Sequence, residues 1–160
     1  MWRESLSESC IHLVLPGVTT EIDATDKWKL IASLHRALCR REGIAPQLCS
    51  EIEQELMARE RLMSTGIGEQ MAIPHAVVAQ VDRFMTECAI IRDGIDFESI
   101  DNTQAYIVVM LVAPKSALQQ HLKVMAEIAK VFYRPETRQK VIAATTPGEV
   151  LQIVRTAPLN

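Results

Sequence analysis

Between Gln104 and Val112 the chain runs almost without a polar residue, reading Ala-Tyr-Ile-Val-Val-Met-Leu-Val after the glutamine, and most of these side chains are β-branched or aromatic. A strand with one wet face alternates apolar and polar residues. A strand without that alternation needs cover on both faces, which means helices packed on either side of its sheet. This segment therefore predicts the centre of a sheet in a layered α/β fold. Its apolar stretch, Tyr106 to Ala113, is far short of the roughly 20 residues a membrane-spanning helix needs, so no membrane insertion is expected.

The flanking segments supply the covering layers. Thr25-Asp26 offers a cap for a helix from Lys27 to Arg41, whose Leu30, Ile31, Leu34 and Leu38 share one face. Gly43 stands where a left-handed closing residue is expected, and Pro46 can open a second helix with Leu48, Ile52 and Leu56 on one side, running to about Arg59. A turn-rich loop, Ser64 to Glu69, precedes Met71 to His75, which reads as a short strand ended by its proline; Thr86 to Ile91 and Cys10 to Leu15 are further strand candidates. A long helix is predicted from Ser116 to about Phe132, with Leu118, Leu122, Met125, Ala129 and Phe132 as its apolar stripe. Pro135 and Pro147 can each start a short helix, and Thr146 with Glu149 has the form of a capping box. Helices separate the strand groups without strict alternation, so the expected fold is α/β and three-layer, with a mixed central sheet flanked by helices on both faces. Residues 1–160 read as a single domain, without repeat or linker.

The charge pattern narrows the partners. Net charge is -3 and the basic residues are scattered, which excludes the basic stripe that a nucleic-acid backbone requires. Arg3, Glu4 and Glu8 interrupt any secretory apolar core, and a cytoplasmic location is expected. Cys10, Cys39, Cys49 and Cys88 include no close pair and read as reduced, mostly buried thiols.

His75 lies directly beyond a loop with two glycines, a position where a rigid scaffold presents a reactive group; alone, it is equally a surface or core histidine. His121 sits beside the apolar stripe of the long helix and near its N-terminus, whose free N–H groups favour an anion. Arg59 closes the second helix just before the glycine loop, where its planar cation could reach a phosphate, and Thr65 and Glu69 are polar groups on the same loop. His12 and His35 lack such a setting and read as structural or surface groups. Gly66-Ile67-Gly68 is not followed by a P-loop lysine, and neither a G-x-S-x-G elbow nor an H-E-x-x-H pair occurs.

Taken together, Arg59-Glu60, Ser64-Thr65-Gly66-Ile67-Gly68, Ala72-Ile73-Pro74-His75, Gly94-Ile95-Asp96-Phe97 and His121-Leu122-Lys123 resemble the signature of phosphotransferase-system IIA components of the fructose/mannitol class, including the nitrogen-regulatory branch. The resemblance spans nearly the whole chain. It implies that His75 is phosphorylated, that His121 is its pocket partner, that Arg59 serves the phosphoryl site, and that no cofactor or metal takes part. It further implies a histidine phosphocarrier protein as donor and a cysteine on a IIB component as acceptor. Glu69-Gln70 stands where many members have Asn-Gly, and Ala76 where they have Gly, which bears on the loop's backbone angles. Two other functions remain open: a regulator whose His75 phosphorylation state selects its target proteins, and a metal-dependent hydrolase built on His75, His121 and Glu69. A homodimer is compatible with each.

Overall fold

A computed structural model describes residues 16–158 of the chain. The Cys10 to Leu15 strand candidate, with His12, lies outside the described residues. Strand β1 (Val18–Thr19) is followed by helices α1 (Lys27–Glu42) and α2 (Pro46–Leu62), strands β2 (Gly66–Gly68), β3 (Met71–Ala72), β4 (His75–Val78), β5 (Met85–Ile95) and β6 (Ala105–Pro114), and helices α3 (Leu118–Val131), α4 (Pro135–Ala143) and α5 (Pro147–Thr156). A single 3-10 turn, Lys115–Ala117, joins β6 to α3.

The expected punctuation is in place. Asp26 accepts the N–H of Lys29 to cap α1, and Gly43 closes that helix at φ 64°, an angle glycine adopts without the steric penalty of a β-carbon. Pro46, Pro135 and Pro147 occupy the first turns of α2, α4 and α5. Thr146 accepts the N–H of Glu149, while the Glu149 carboxylate reaches back to the N–H of Thr145, one residue earlier than a capping box requires.

Strand β6 is the axis of a six-stranded mixed sheet ordered β1-β5-β6-β3-β2, with β4 also paired to β6. It runs antiparallel to β5 and parallel to β3 and β4. From Ile107 onward every residue of β6 is buried. Val108, Met110 and Val112 pack with Leu30, Leu34, Ile52 and Leu56 of α1 and α2; Ile107, Val109 and Leu111 pack with Ile128, Phe132, Val141 and Val154 of α3 to α5 and the segment after α3. The two apolar layers on opposite faces of one strand are the physical content of the three-layer expectation.

Two expectations are corrected. Met71 to His75 is not one strand with His75 at its end: the ladder breaks at Ile73-Pro74 and His75 opens β4. The register is nonetheless continuous, since Ala72 faces Val108 and His75 faces Leu111. Proline has no N–H for the ladder, but its carbonyl accepts from Leu111 N at 2.9 Å and holds the break in line. The second correction concerns α3, where Leu118 and Leu122 are 60% and 70% exposed while the buried stripe is His121, Val124, Ile128 and Val131. Both stripes have helical spacing; the sheet selected the one richer in β-branched side chains. Ile128→Ala is accordingly expected to cost about 2–5 kcal/mol of unfolding free energy by denaturant titration, against less than about 0.5 kcal/mol for Leu122→Ala.

Candidate functional site

Three elements converge on His75. Strand β4 places its imidazole at the sheet end nearest the Pro74 break, α2 brings Ala58, Arg59 and Leu62 from one side, and the first turn of α3 brings Leu118 and His121 from the other; together they line an open cleft of about 380 Å³. The His75 and His121 rings lie 5.2 Å apart, centroid to centroid, tilted by 50°. His75 is half-buried and His121 buried.

The tautomer of His75 follows from its neighbour. Nδ1 lies 2.8 Å from the carbonyl oxygen of Ile73, which can only accept, so Nδ1 carries the proton and donates it. Nε2 is left with the lone pair. Burial pushes the His75 imidazole below the ordinary histidine range; the Ile73 carbonyl opposes this, the nearby Arg59 cation adds to it, and Glu60 opposes it weakly. His121 is also lowered, by burial first and then by His75 and Arg59. Two neutral imidazoles beside a permanent cation make an anion-receptive, nucleophilic pocket. Arg59 donates from Nη1 to the carbonyl of Met63 at 2.8 Å and has no carboxylate partner among the described residues. The first turn of α3, which has no side-chain cap among the described residues, points the positive end of its helix dipole toward this border of the cleft.

Thr65 and Glu69 are placed elsewhere. Thr65 is buried and turned toward Glu60, donating its hydroxyl to Oε2 at 2.5 Å and its N–H to Oε1 at 3.2 Å. Glu69 is largely exposed, paired with Arg138 at 2.8 Å, and is not part of the cleft wall. The trio His75, His121 and Glu69 is therefore not assembled, and among the described residues it forms no group of metal-ligand spacing. The β2–β3 turn keeps left-handed angles at Glu69 (φ 55°) and Gln70 (φ 67°) although Gln70 stands where many members have glycine. Asp101 accepts the Glu69 N–H, and the Gln70 carbonyl accepts from Tyr106 and Ile107, so tertiary hydrogen bonds hold the turn in shape.

A model of the family described as "Phosphoenolpyruvate-dependent sugar phosphotransferase system, EIIA 2" matches residues 16–157. The chain belongs to that family. A fructose-specific EIIABC component of Bacillus subtilis is 32% identical over 102 residues; the match covers 64% of this chain and 16% of that longer protein. The crystal structure of the nitrogen regulatory protein IIA-Ntr from Neisseria meningitidis superposes with a TM-score of 0.78 at 25% identity, covering 88% of this chain and 96% of that one. The mannitol IIA enzyme of Escherichia coli, in a complex with phosphorylated mannitol IIB enzyme, shares the fold with a TM-score of 0.74 at 19% identity, covering 88% of this chain and 95% of the other. Among the described residues of this EIIA chain no helix is long and apolar enough to cross a membrane.

Sequence reasoning passed over the support behind the cleft. Glu60 is buried and accepts from Lys27 Nζ at 3.2 Å as well as from Thr65, and Lys27 is itself buried. The signal was present: Glu60 continues the Ile52, Leu56 spacing, so the inward face of α2 delivers a carboxylate one residue past Arg59. A buried carboxylate with three donors aligned on it holds the last turn of α2 to both α1 and the Thr65 loop. Removing one member strands a charge, and Glu60→Ala is expected to lower the unfolding free energy by about 3–5 kcal/mol, measured by denaturant titration, while Thr65→Val costs about 1–3 kcal/mol.

Proposed function

We propose that this EIIA component accepts a phosphoryl group on Nε2 of His75 from the phosphohistidine of a histidine phosphocarrier protein and passes it to a cysteine of a IIB component. The observation that carries the reading is the Nδ1–H bond to the Ile73 carbonyl: it leaves one unprotonated nitrogen on a ring that lines the cleft shared with His121 and Arg59. In the forward step the Nε2 lone pair attacks phosphorus in line while the donor's N–P bond breaks, so the donor imidazole leaves with the electron pair. Arg59 and His121 hold the phosphoryl oxygens, which carry the charge throughout, and the Ile73 carbonyl stabilises the positive charge that grows on the His75 ring. The second step reverses these roles toward a thiolate.

The cleft rim supports a protein as donor. Leu62 and Leu118 at the cleft are well exposed, as are Met63 and Leu122 nearby in sequence, an apolar border suited to burial against another protein and wasteful around a site for a small polar substrate. A second reading, phosphorylation as a regulatory signal, is favoured by the similarity to the nitrogen regulatory protein; the added charge on His75 then decides which partner that rim accepts. Transfer to IIB separates the two.

Incubation with labelled phosphoenolpyruvate, the general phosphotransferase enzyme and the histidine phosphocarrier should give acid-labile, base-stable label. His75→Ala should abolish it, and His121→Ala should slow it by about 10²-fold. NMR of the product should show the phosphoryl group on Nε2; attachment at Nδ1, or label that survives in His75→Ala, would overturn the assignment.

The pH dependence has a definite sign. The reacting form of His75 is neutral and its folded pKa is lowered, so the rate should persist below the ordinary histidine value of about 6.5 and fall only as pH drops through the lowered value. Arg59→Gln removes a cation that lowers this pKa; single-turnover rates should then be slower at every pH, with the acid limb displaced toward higher pH.

A further inference from the structure

At the end of α2 remote from the cleft, two helices bring three soft donors together. His35 and Cys39 lie one turn apart on α1, and Cys49 comes from the first turn of α2. Nε2 of His35 is 3.3 Å from the sulfur of Cys39 and 3.3 Å from that of Cys49, and the three donor atoms all lie within 4.8 Å of one another. His35 and Cys39 are buried and Cys49 is half-buried, at the wall of an open cleft of about 700 Å³ lined also by Arg36, Arg40 and Ile44.

Hydrogen bonding accounts for only part of this convergence, because the carbonyl of Cys49 takes the single proton of Nε2 and leaves nothing for the two sulfurs. Nε2 also lies 2.7 Å from the carbonyl of Cys49, so two sulfurs and an oxygen crowd a nitrogen that has one proton or one lone pair to offer. Nδ1 of the same ring is buried without a hydrogen-bond partner among the described residues. A tetrahedral ion with metal–sulfur bonds of about 2.3 Å and a metal–nitrogen bond of about 2.0 Å needs sulfur-to-nitrogen separations of about 3.5 Å, close to those already present. Two thiolates and an imidazole select a borderline-soft cation, and the half-buried third donor leaves a fourth position facing the cleft.

We propose that His35, Cys39 and Cys49 bind one divalent cation of the zinc class between α1 and α2. On binding, both thiols give up their protons to solvent, the His35 ring proton leaves Nε2 and its bond to the Cys49 carbonyl breaks as Nδ1 takes a proton, two sulfur–metal bonds and one nitrogen–metal bond form, and water completes the tetrahedron. The ion fastens the first turn of α2 to α1, about 15 Å along the helix from Arg59. The site is independent of the phosphoryl chemistry and shares no residue with it.

Cobalt(II) titration of the reduced full-length chain, without oxygen, tests this. The expected result is one equivalent of tetrahedral cobalt with a thiolate-to-cobalt charge-transfer band, displaced by zinc, and release of two protons per ion measured in weakly buffered solution. Cys39→Ser, Cys49→Ser and His35→Ala should each lose the band, while Cys88→Ser and Cys10→Ser should retain it; circular dichroism of each variant separates lost ligation from lost folding. An octahedral spectrum without charge transfer, a band that survives Cys39→Ser and Cys49→Ser, or a band lost with Cys10→Ser would overturn the assignment. Should the variants misfold, proton release and blocking of Cys49 alkylation by zinc in the wild-type chain decide it: absence of both overturns the site.

Discussion

The structure depends on strand β6 having no wet face. Its side chains point alternately into two apolar layers, and neither layer could form without it, because each uses the half of β6 that the other leaves. A strand in that position must be paired along both edges to satisfy its backbone. On one edge the antiparallel partner β5 does this; on the other the work is divided between β3 and β4, and the division at Pro74 is where His75 emerges. His75 is thus carried by a ladder on the central strand of the sheet.

Electrostatics around that imidazole come in two tiers. Arg59 faces the cleft as a cation with no carboxylate partner among the described residues, while its neighbour Glu60 turns inward onto Lys27 and Thr65. One helical turn therefore presents opposite charges in opposite directions. Had Glu60 faced the cleft instead, it would have neutralised Arg59 and raised the histidine pKa values, working against an anionic ligand and a neutral nucleophile. Glu60 fixes the turn on which Arg59 sits.

Much of this was legible in the sequence. Caps and prolines set the helix starts to within a residue, because they act through local hydrogen bonds and fixed φ angles. The unalternated run at β6 gave the layering. His75, His121 and Arg59 were singled out from a motif, and the structure brings all three to one cleft. What the sequence misread shares one cause. Leu118 and Leu122 fit a helical stripe as well as Val124 and Ile128 do, and only the sheet's position decides between stripes. Glu69 is a polar loop residue whose direction depends on Arg138, far away in the chain, and Thr65 turns to Glu60, close in sequence but directed inward by the packing of α2 on α1. The thiols of Cys39 and Cys49 looked unrelated because their proximity arises from the packing of α1 on α2.

The cleft around His75 is open and bordered by the exposed side chains of Leu62 and Leu118, and His75 belongs to a backbone segment that is locked into the sheet. On the proposed function, a protein that delivers a phosphoryl group to His75 and a protein that removes it would both approach the same ring. Two such partners would compete for one surface, so a relay of the proposed kind would be a succession of binary encounters with ping-pong kinetics. Its throughput is limited by how quickly each partner leaves, which gives weak, fast-dissociating contacts at the apolar rim an advantage over tight ones.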